Sequence, residues 1–365
     1  MYEFDYSMPT SVIVGPNCLV KNSRRLRNLG HSCLIITGYQ SSKLNGSLED
    51  SITALENENI KYTIFDKVEE NPTLETVEKA YLENSDKEIE FILAVGGGSA
   101  IDAAKAISIL FRNGIPADEI LSLKNLEGIP VVAVPTTAGT GSETTPYSIL
   151  TIHKEAIKRN IGQRIFPVMA FLDARYTLNM PYHITTSTAV DAFTHLAEGY
   201  LNANASIISD TLAEKGLRLF GECLKPLQER DCGIEIREKL LMASSIGGMV
   251  ISQTGTSLPH GMGYVLTYEK SIPHGTANGI LYPGYLKVFK NTRKLKRLLE
   301  LINVESIDAL SGIFRDILDF EVHLTDNEIK RYVDGILSNE KKLKNHPEKV
   351  SRDDLTNIYK SMLKK

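Results

Sequence analysis

The sequence predicts an α/β domain built on a parallel sheet, residues 1–180, followed by an all-α domain, residues 181–365. Three observations predict it. Short apolar runs alternate with helix-period stretches through the first half. Two of those runs open directly into loops rich in glycine and hydroxyl side chains. After Pro181, long helical patterns follow one another with no β-rich run between them.

Each element has its own signal. Residues 33–37 (CLIIT), 91–95 (FILAV) and 131–134 (VVAV) are continuous apolar runs, which fit strands buried on both faces of a parallel sheet; 62–65 and 168–172 complete the set. Residues 44–59, 72–84 and 99–112 carry helical periodicity, with Asn71 or Thr73 at the start of the second. Beyond the boundary at Met180-Pro181, where proline disfavours helix in the residue before it, residues 185–201, 207–220 and 234–251 read as long helices. The remainder also reads as helical, with a strongly charged stretch at 339–349.

Composition narrows the class. The chain has 365 residues, 42% hydrophobic and 24% charged, enough for two ordinary globular cores. Its formal net charge is -4 and no Lys/Arg block stands out, which excludes an obvious nucleic-acid face. No apolar run approaches the roughly 18 residues of a membrane span. The start, through Thr10, has no basic segment followed by an apolar core, so no secretory signal is expected. Cys18, Cys33, Cys223 and Cys232 form no CxxC pair, which fits the reducing cytoplasm.

The run FILAV leads straight into Gly96-Gly97-Gly98-Ser99 and then a helix. Glycines let the backbone approach a phosphate, and the helix start offers free N–H groups and a positive dipole end. The same residues also read as a tight turn in which Ser99-x-x-Asp102 is a capping box. A second polar loop, PTTAGTGSE at 135–143, follows VVAV, and six of its nine residues are Thr, Ser or Gly. Two such loops at the carboxyl ends of strands favour nucleotide binding over flexible turns.

Asp191 and His195 are four apart in a helical stretch, hence on one face. His260 and His274 each lie between a Pro and a Gly at a helix start. One carboxylate and three imidazoles suit Fe(II), Zn(II) or Co(II), with a position left for a substrate oxygen. Taken alone, the Asp/His pair also reads as a surface hydrogen-bonded pair. His31, His153, His183, His323 and His346 sit in polar contexts and read as surface residues.

At these residues the sequence resembles the iron-containing alcohol dehydrogenase family. The resemblance runs through MPTSVIVGP, ENPT at 70–73, GGGSAIDAAKA, PTTAGTGSE, DAFTHLAEGYL and the two Pro-His-Gly segments, 14 residues apart and in the family's order. It implies a dehydroquinate synthase-like fold, shared with glycerol dehydrogenase. It also implies a divalent metal, usually iron, held by Asp191, His195, His260 and His274. Gly97, Gly98 and Ser99 would hold the pyrophosphate. Thr136, Thr137, Thr140 and Ser142 would approach the middle and nicotinamide end of the cofactor, with Asp102 and Tyr147 beside them. Asn71 and Leu178 would border its ribose or adenine, and Lys158 would contact it. Homo-oligomers are implied, through the strand at 11–14.

Two departures are informative. After the first buried run, family members that prefer NAD(H) often carry an Asp for the ribose 2′-hydroxyl. Here residues 37–43 read Thr-Gly-Tyr-Gln-Ser-Ser-Lys, with no acid. Gly38, Ser41, Ser42 and Lys43 can accept a 2′-phosphate that a carboxylate would repel, which favours NADP(H) over NAD(H). The other reading is that they only cap the next helix. Tyr264 stands where many members have a further His that assists proton transfer. It is the candidate catalytic residue, as a proton relay or as pocket lining.

The resulting expectation is a metal-dependent alcohol dehydrogenase moving a hydride between NAD(P)(H) and a small primary alcohol or aldehyde. Residues 145–147 and 253–258 would line the pocket. The alternatives are a glycerol-dehydrogenase-like polyol oxidoreductase, a dehydroquinate-synthase-type lyase, or a non-enzymatic sensor.

Overall fold

The structure, a computed structural model, describes residues 3–155 and 157–362. Met1, Tyr2, Ala156 and residues 363–365 lie outside the described residues, and with them the outermost ends of both regions read from sequence. The chain divides into two compact units. One comprises Met8–Thr137 and Ser142–Asn179; the other comprises Met1–Ser7, Ala138–Gly141 and Met180–Lys365.

The first unit is α/β. Its strands are β1 (Ser11–Val14), β2 (Ser32–Gly38), β3 (Lys61–Val68), β4 (Phe91–Gly96), β5 (Val131–Pro135), β6 (Ile149–Ile152), β7 (Ile157–Asn160) and β8 (Met169–Leu172). Six of them form a parallel sheet in the order β1-β8-β5-β4-β2-β3. Its helices are α1 (Cys18–Lys21), α2 (Arg24–Arg27), α3 (Ser41–Leu44), α4 (Ser47–Asn57), α5 (Leu74–Leu82) and α6 (Gly98–Asn113). Every residue of β4 and β5 is buried, as continuous apolar strands covered on both faces must be. Register places Gly96 beside Pro135, so the two polar loops leave adjacent strands at the same level. That is the carboxyl edge, where open parallel sheets bind ligands.

Local chemistry set several boundaries differently from the periodicity. The helix expected over 44–59 is observed as α4 alone, from Ser47 to Asn57, and Leu44 ends the separate short α3, because Asn45-Gly46 stands between them: Gly46 has φ 81°, a left-handed value that glycine adopts without strain. Helix α5 begins after Thr73, whose hydroxyl accepts from the Thr76 amide. The antiparallel hairpin β6–β7 was not anticipated, since its strands are only four residues each.

The second unit is helical: α7 (Tyr182–Tyr200), α8 (Ile207–Gln228), α9 (Ile234–Thr254), α10 (Leu258–Lys270), α11 (His274–Leu286), α12 (Arg293–Leu301), α13 (Ile307–Ile317), α14 (Asp326–Leu337), α15 (Glu340–Asn345) and α16 (Arg352–Lys360). Helix α7 runs through the middle of it, buried almost all round from Thr185 onward. On one side its Phe193 packs against Phe220, Tyr282 and Phe314, with ring centroids 5.0, 5.0 and 5.4 Å away. No helix among the described residues is long and apolar enough to cross a membrane.

One histidine is misplaced by its sequence context. His346 follows a charged run, yet it is buried, against the rings of Tyr285 and Phe289. The chain turns inward after α15, so the side chain enters an aromatic pocket that local polarity does not reveal. Burial pulls its pKa down to about 4, against the nearby carboxylates of Glu348 and Asp354. The unfolded chain, with a value near 6.5, therefore binds a proton that the folded chain refuses. Stability should fall as pH drops from 6.5 towards 4, by up to about 3 kcal/mol from this group. His346→Phe should flatten that part of the stability–pH curve, measured by urea unfolding; an unchanged slope would show that His346 is not the group responsible.

Candidate metal centre and nucleotide loop

The metal candidates converge within the helical unit. Asp191 and His195 project from one face of α7, His260 from the first turn of α10, and His274 from the first residue of α11. The ligand atoms of Asp191, His195 and His260 lie within 4.8 Å of one another, and all three residues are buried. His260 Nε2 is 2.8 Å from His195 Nε2 and 3.7 Å from Asp191 Oδ1. His274 stands at the edge of the group, its Nε2 3.9 Å from Asp191 Oδ1 and its side chain 20% exposed. Close approach of α11 to α7 requires Gly275: a Cβ there would sit 1.9 Å from the Ser187 carbonyl oxygen.

The far sides of two imidazoles fix their protonation. The Gly139 carbonyl oxygen, 3.2 Å from His195 Nδ1, can only accept, so that nitrogen carries the proton. The His260 Nδ1 faces Glu198 Oε1 at 2.6 Å, and Glu198 Oε2 accepts from the Ser257 amide at 2.6 Å. With both protons on Nδ1, two Nε2 lone pairs point at each other across 2.8 Å, which is repulsive unless a cation lies between them. The donor set and its geometry therefore fit a divalent metal. Burial works to raise the Asp191 carboxyl, but the three imidazoles and the Asn278 amide outweigh it and hold it below the usual value. Asn278 donates to Asp191 Oδ1 at 3.2 Å. Desolvation pushes the carboxyl of Glu198, fully buried, upward, against the pull of Lys342 and of the Ser257 N–H. Tyr264 is half-buried and lies flat against His274, with ring centroids 5.2 Å apart and planes 12° apart.

The nucleotide candidates gather in the α/β unit. Gly97 is the residue before α6, and a Cβ on it would meet the Thr137 side chain at 3.0 Å; Gly98 and Ser99 form the first turn. The capping-box reading of Ser99 and Asp102 does not hold, because the residue capping the helix is Gly97, two residues before Ser99. Asp102 instead accepts from the Ser142 hydroxyl and from the Ile149 amide, binding the second loop to α6. The loop is no flexible turn: Thr136 and residues 142–145 are buried. Lys105, fully buried, donates to the Ser142 hydroxyl and carbonyl at 2.8 Å each and to the Tyr147 carbonyl at 2.7 Å. Burial pulls its pKa down to about 8, against Asp102 and Glu143. Asn71 joins the group: its amide donates to Ser99 Oγ at 3.3 Å and its side-chain oxygen accepts from Lys158 at 2.6 Å.

The chain around Leu178 lies against the end of the 38–44 segment: Asn179 donates to the Leu44 carbonyl oxygen at 3.1 Å and Asn45 to the Tyr176 carbonyl oxygen at 2.8 Å. Leu178 is 44% exposed after the short helical turn Ala174–Thr177. Thr140 falls in the segment Ala138–Gly141 that belongs to the helical unit. Gly38 ends β2 and Ser41 is exposed, but the Ser42 hydroxyl is buried and accepts from Thr37 at 2.6 Å. Lys43 pairs with Asp66 at 2.6 Å on the surface. The sequence reading missed Glu198, Asn278 and Lys105. Spacing could have found the first two, at three residues past His195 and four past His274. A lone lysine among alanines and isoleucines could have shown the third.

The glycine-turned helix start of the α/β unit and the buried carboxylate–imidazole cluster of the helical unit are features that fit a metal-dependent oxidoreductase. The comparisons give the family. Residues 9–174 match the model described as iron-containing alcohol dehydrogenase, and residues 185–363 match the C-terminal model of the Fe-containing alcohol dehydrogenase family. A 1,3-propanediol dehydrogenase of Citrobacter freundii is 30% identical over 88% of this chain and 84% of its own length. The NADH-dependent butanol dehydrogenase B of Clostridium acetobutylicum is 31% identical over 84% of this chain and 81% of its own. The crystal structure of an iron-containing alcohol dehydrogenase from Thermotoga maritima superposes with a TM-score of 0.91 at 38% identity, covering 100% of this chain and 99% of that one. The chain belongs to the iron-containing alcohol dehydrogenase family and is a metal-dependent alcohol dehydrogenase.

Proposed function

We propose that this enzyme interconverts short primary alcohols and their aldehydes using iron(II) and NADP(H). The observation that carries the reading is the buried convergence of Asp191, His195 and His260, with His274 at its edge as the fourth ligand. Together they would hold a divalent cation, which when bound supplies Lewis acidity toward an alcohol or carbonyl oxygen. The protein's share is positional. Gly139 and Glu198 orient two imidazoles, Asn278 steadies Asp191, and Tyr264 backs the ring of His274. Tyr264 is assigned to this supporting contact and to lining the site. Zinc fits the same donors, because imidazole and carboxylate do not separate the two metals.

In the α/β unit, Gly97, Gly98 and Ser99 would take the pyrophosphate at the start of α6. Asn71, Thr136, Thr137, Ser142 and Lys158 would surround the rest of the dinucleotide, shaped from beneath by Asp102, Lys105 and the Tyr147 carbonyl, with Leu178 in the same unit. Preference for NADP(H) is supported by the end of β2, where Gly38 stands in place of an acid and Ser41 and Lys43 are exposed. The Lys43–Asp66 pair is exposed on both sides and weakly held, so Lys43 can turn to a 2′-phosphate. The relatives' names point both ways: an NADPH-dependent butanol dehydrogenase of Clostridium saccharobutylicum is 27% identical, and butanol dehydrogenase B uses NADH. A cytoplasmic location is supported by four unbridged cysteines. Assembly as a homo-oligomer is supported by β1, an edge strand that among the described residues pairs with β8 alone and carries Val14 at 52% exposure.

Metal-free enzyme reconstituted with Fe(II) under anaerobic conditions should oxidise NADPH with butanal faster than NADH, and Asp191→Ala should lose both bound metal and turnover. Turnover by an Asp191→Ala enzyme without metal would sink the metal reading, and glycerol oxidation with NAD exceeding butanal reduction would move it to the polyol class. Gly38→Asp should lower kcat/KM for NADPH relative to NADH by at least about tenfold, the effect of about 1.4 kcal/mol of repulsion; an unchanged ratio would remove Gly38 from cofactor choice. Sedimentation velocity should give a dimer or larger, and a monomer at tens of micromolar would dismiss the β1 assembly.

A further inference from the structure

Glu198 is a buried acid outside the expected ligand set. It lies on α7 at the third position of a stripe, seven residues past Asp191 and three past His195, and so shares their face. It is 0% exposed and both its oxygens are engaged, Oε1 with His260 Nδ1 and Oε2 with the Ser257 N–H, each at 2.6 Å. Ser257 is the residue preceding α10, so one carboxylate joins the start of that helix to the ring of the histidine on its first turn. The charged group facing it is Lys342 of α15, whose ammonium is held by Thr256. Burying a carboxylate in a helical core costs several kcal/mol unless it is paired and hydrogen-bonded. A structural N-cap alone does not need that expense: Ser, Thr or Asn caps with no charge.

We propose that Glu198 is a positioning residue of the metal centre, fixing His260 as the Nδ1–H tautomer so that its Nε2 lone pair is directed at the cluster. A carboxylate is suited to this, because it only accepts: it takes the Nδ1 proton and leaves Nε2 bare. It also pushes electron density into the ring and raises the basicity of Nε2 toward a cation. A glutamine in the same pose cannot do both jobs, since Ser257 and His260 meet different carboxylate oxygens and glutamine keeps an acceptor at only one of those two positions. If it serves Ser257, its amino group donates to Nδ1 and drives the proton to Nε2, the tautomer that cannot ligate through that atom.

This inference rests on the metal reading above, and the test separates the two. Full-length, metal-free wild type and Glu198→Gln are titrated with Co(II) alone against a competing chelator, following the cobalt ligand-field bands. The expectation is Co(II) affinity weaker by about 10- to 100-fold in Glu198→Gln, with altered bands and cooperative unfolding of the metal-free protein retained. Equal affinity and equal bands in both proteins would overturn the role of Glu198 while leaving the metal site intact. No Co(II) binding by wild type would overturn the metal reading itself. Should Glu198→Gln fail to fold, the wild type decides: 15N-histidine NMR of the metal-free protein should show His260, assigned through His260→Gln, as the Nδ1–H tautomer with a strongly downfield proton. An Nε2–H tautomer, or a mixture of the two, would overturn the proposal.

Discussion

Much of the helical unit depends on one polar stripe down α7. Ser187, Asp191, His195 and Glu198 follow at intervals of four, four and three, which is the repeat of one helix face. The two outer members receive the incoming helices. The Ser187 hydroxyl accepts from the Thr276 amide in the first turn of α11, and Glu198 accepts from the Ser257 amide that opens α10. The two inner members meet the histidines those helices carry. Helix starts and ligands are thus placed by the same face, so the spacing of the caps sets the spacing of the imidazoles. The opposite side of α7 is anchored by Phe193 among three aromatic rings, which keeps the stripe from rotating away.

The α/β unit solves a different problem. A dinucleotide needs backbone N–H groups and hydroxyls held in a fixed curve, although loops are mobile by default. Here the curve is held from beneath by Lys105. Its ammonium has three donors and no acceptor, so it gathers the carbonyl and hydroxyl oxygens of Ser142 and the carbonyl oxygen of Tyr147. Asp102, one turn earlier on α6, takes the Ser142 hydroxyl and the Ile149 amide. The helix that begins at the glycine turn is consequently tied to the chain from Ser142 to Ile149.

Much of this was legible in the sequence, for identifiable reasons. Strands such as FILAV and VVAV are buried on both faces, and continuous apolarity says so without ambiguity. The candidate ligands Asp191 and His195 are read from helical spacing, and His260 and His274 from their matched Pro-His-Gly settings. What escaped was set by tertiary partners. Ser42 reads as an exposed hydroxyl at a helix start but turns inward to Thr37. His346 follows a charged run and is buried in an aromatic pocket. Lys105 looks like the charged edge of an amphipathic helix until the loop that covers it is known. Position along the chain carries no information about which side of a short helix another segment will cover.

The two units also differ in the sign of what they prepare. The start of α6 presents amide dipoles and no acidic residue in its first turn, an environment that lowers the energy of an anion. The starts of α10 and α11 present the same positive dipole ends to the cluster, which alone would disfavour a cation. The difference lies in the carboxylates of α7. Asp191 lies inside the cluster and Glu198 stands behind His260. Together they bring two negative charges to helix ends that would otherwise repel a divalent ion. Neutral imidazoles complete the donor set, and the carboxylates of α7 offset the positive helix ends that face it.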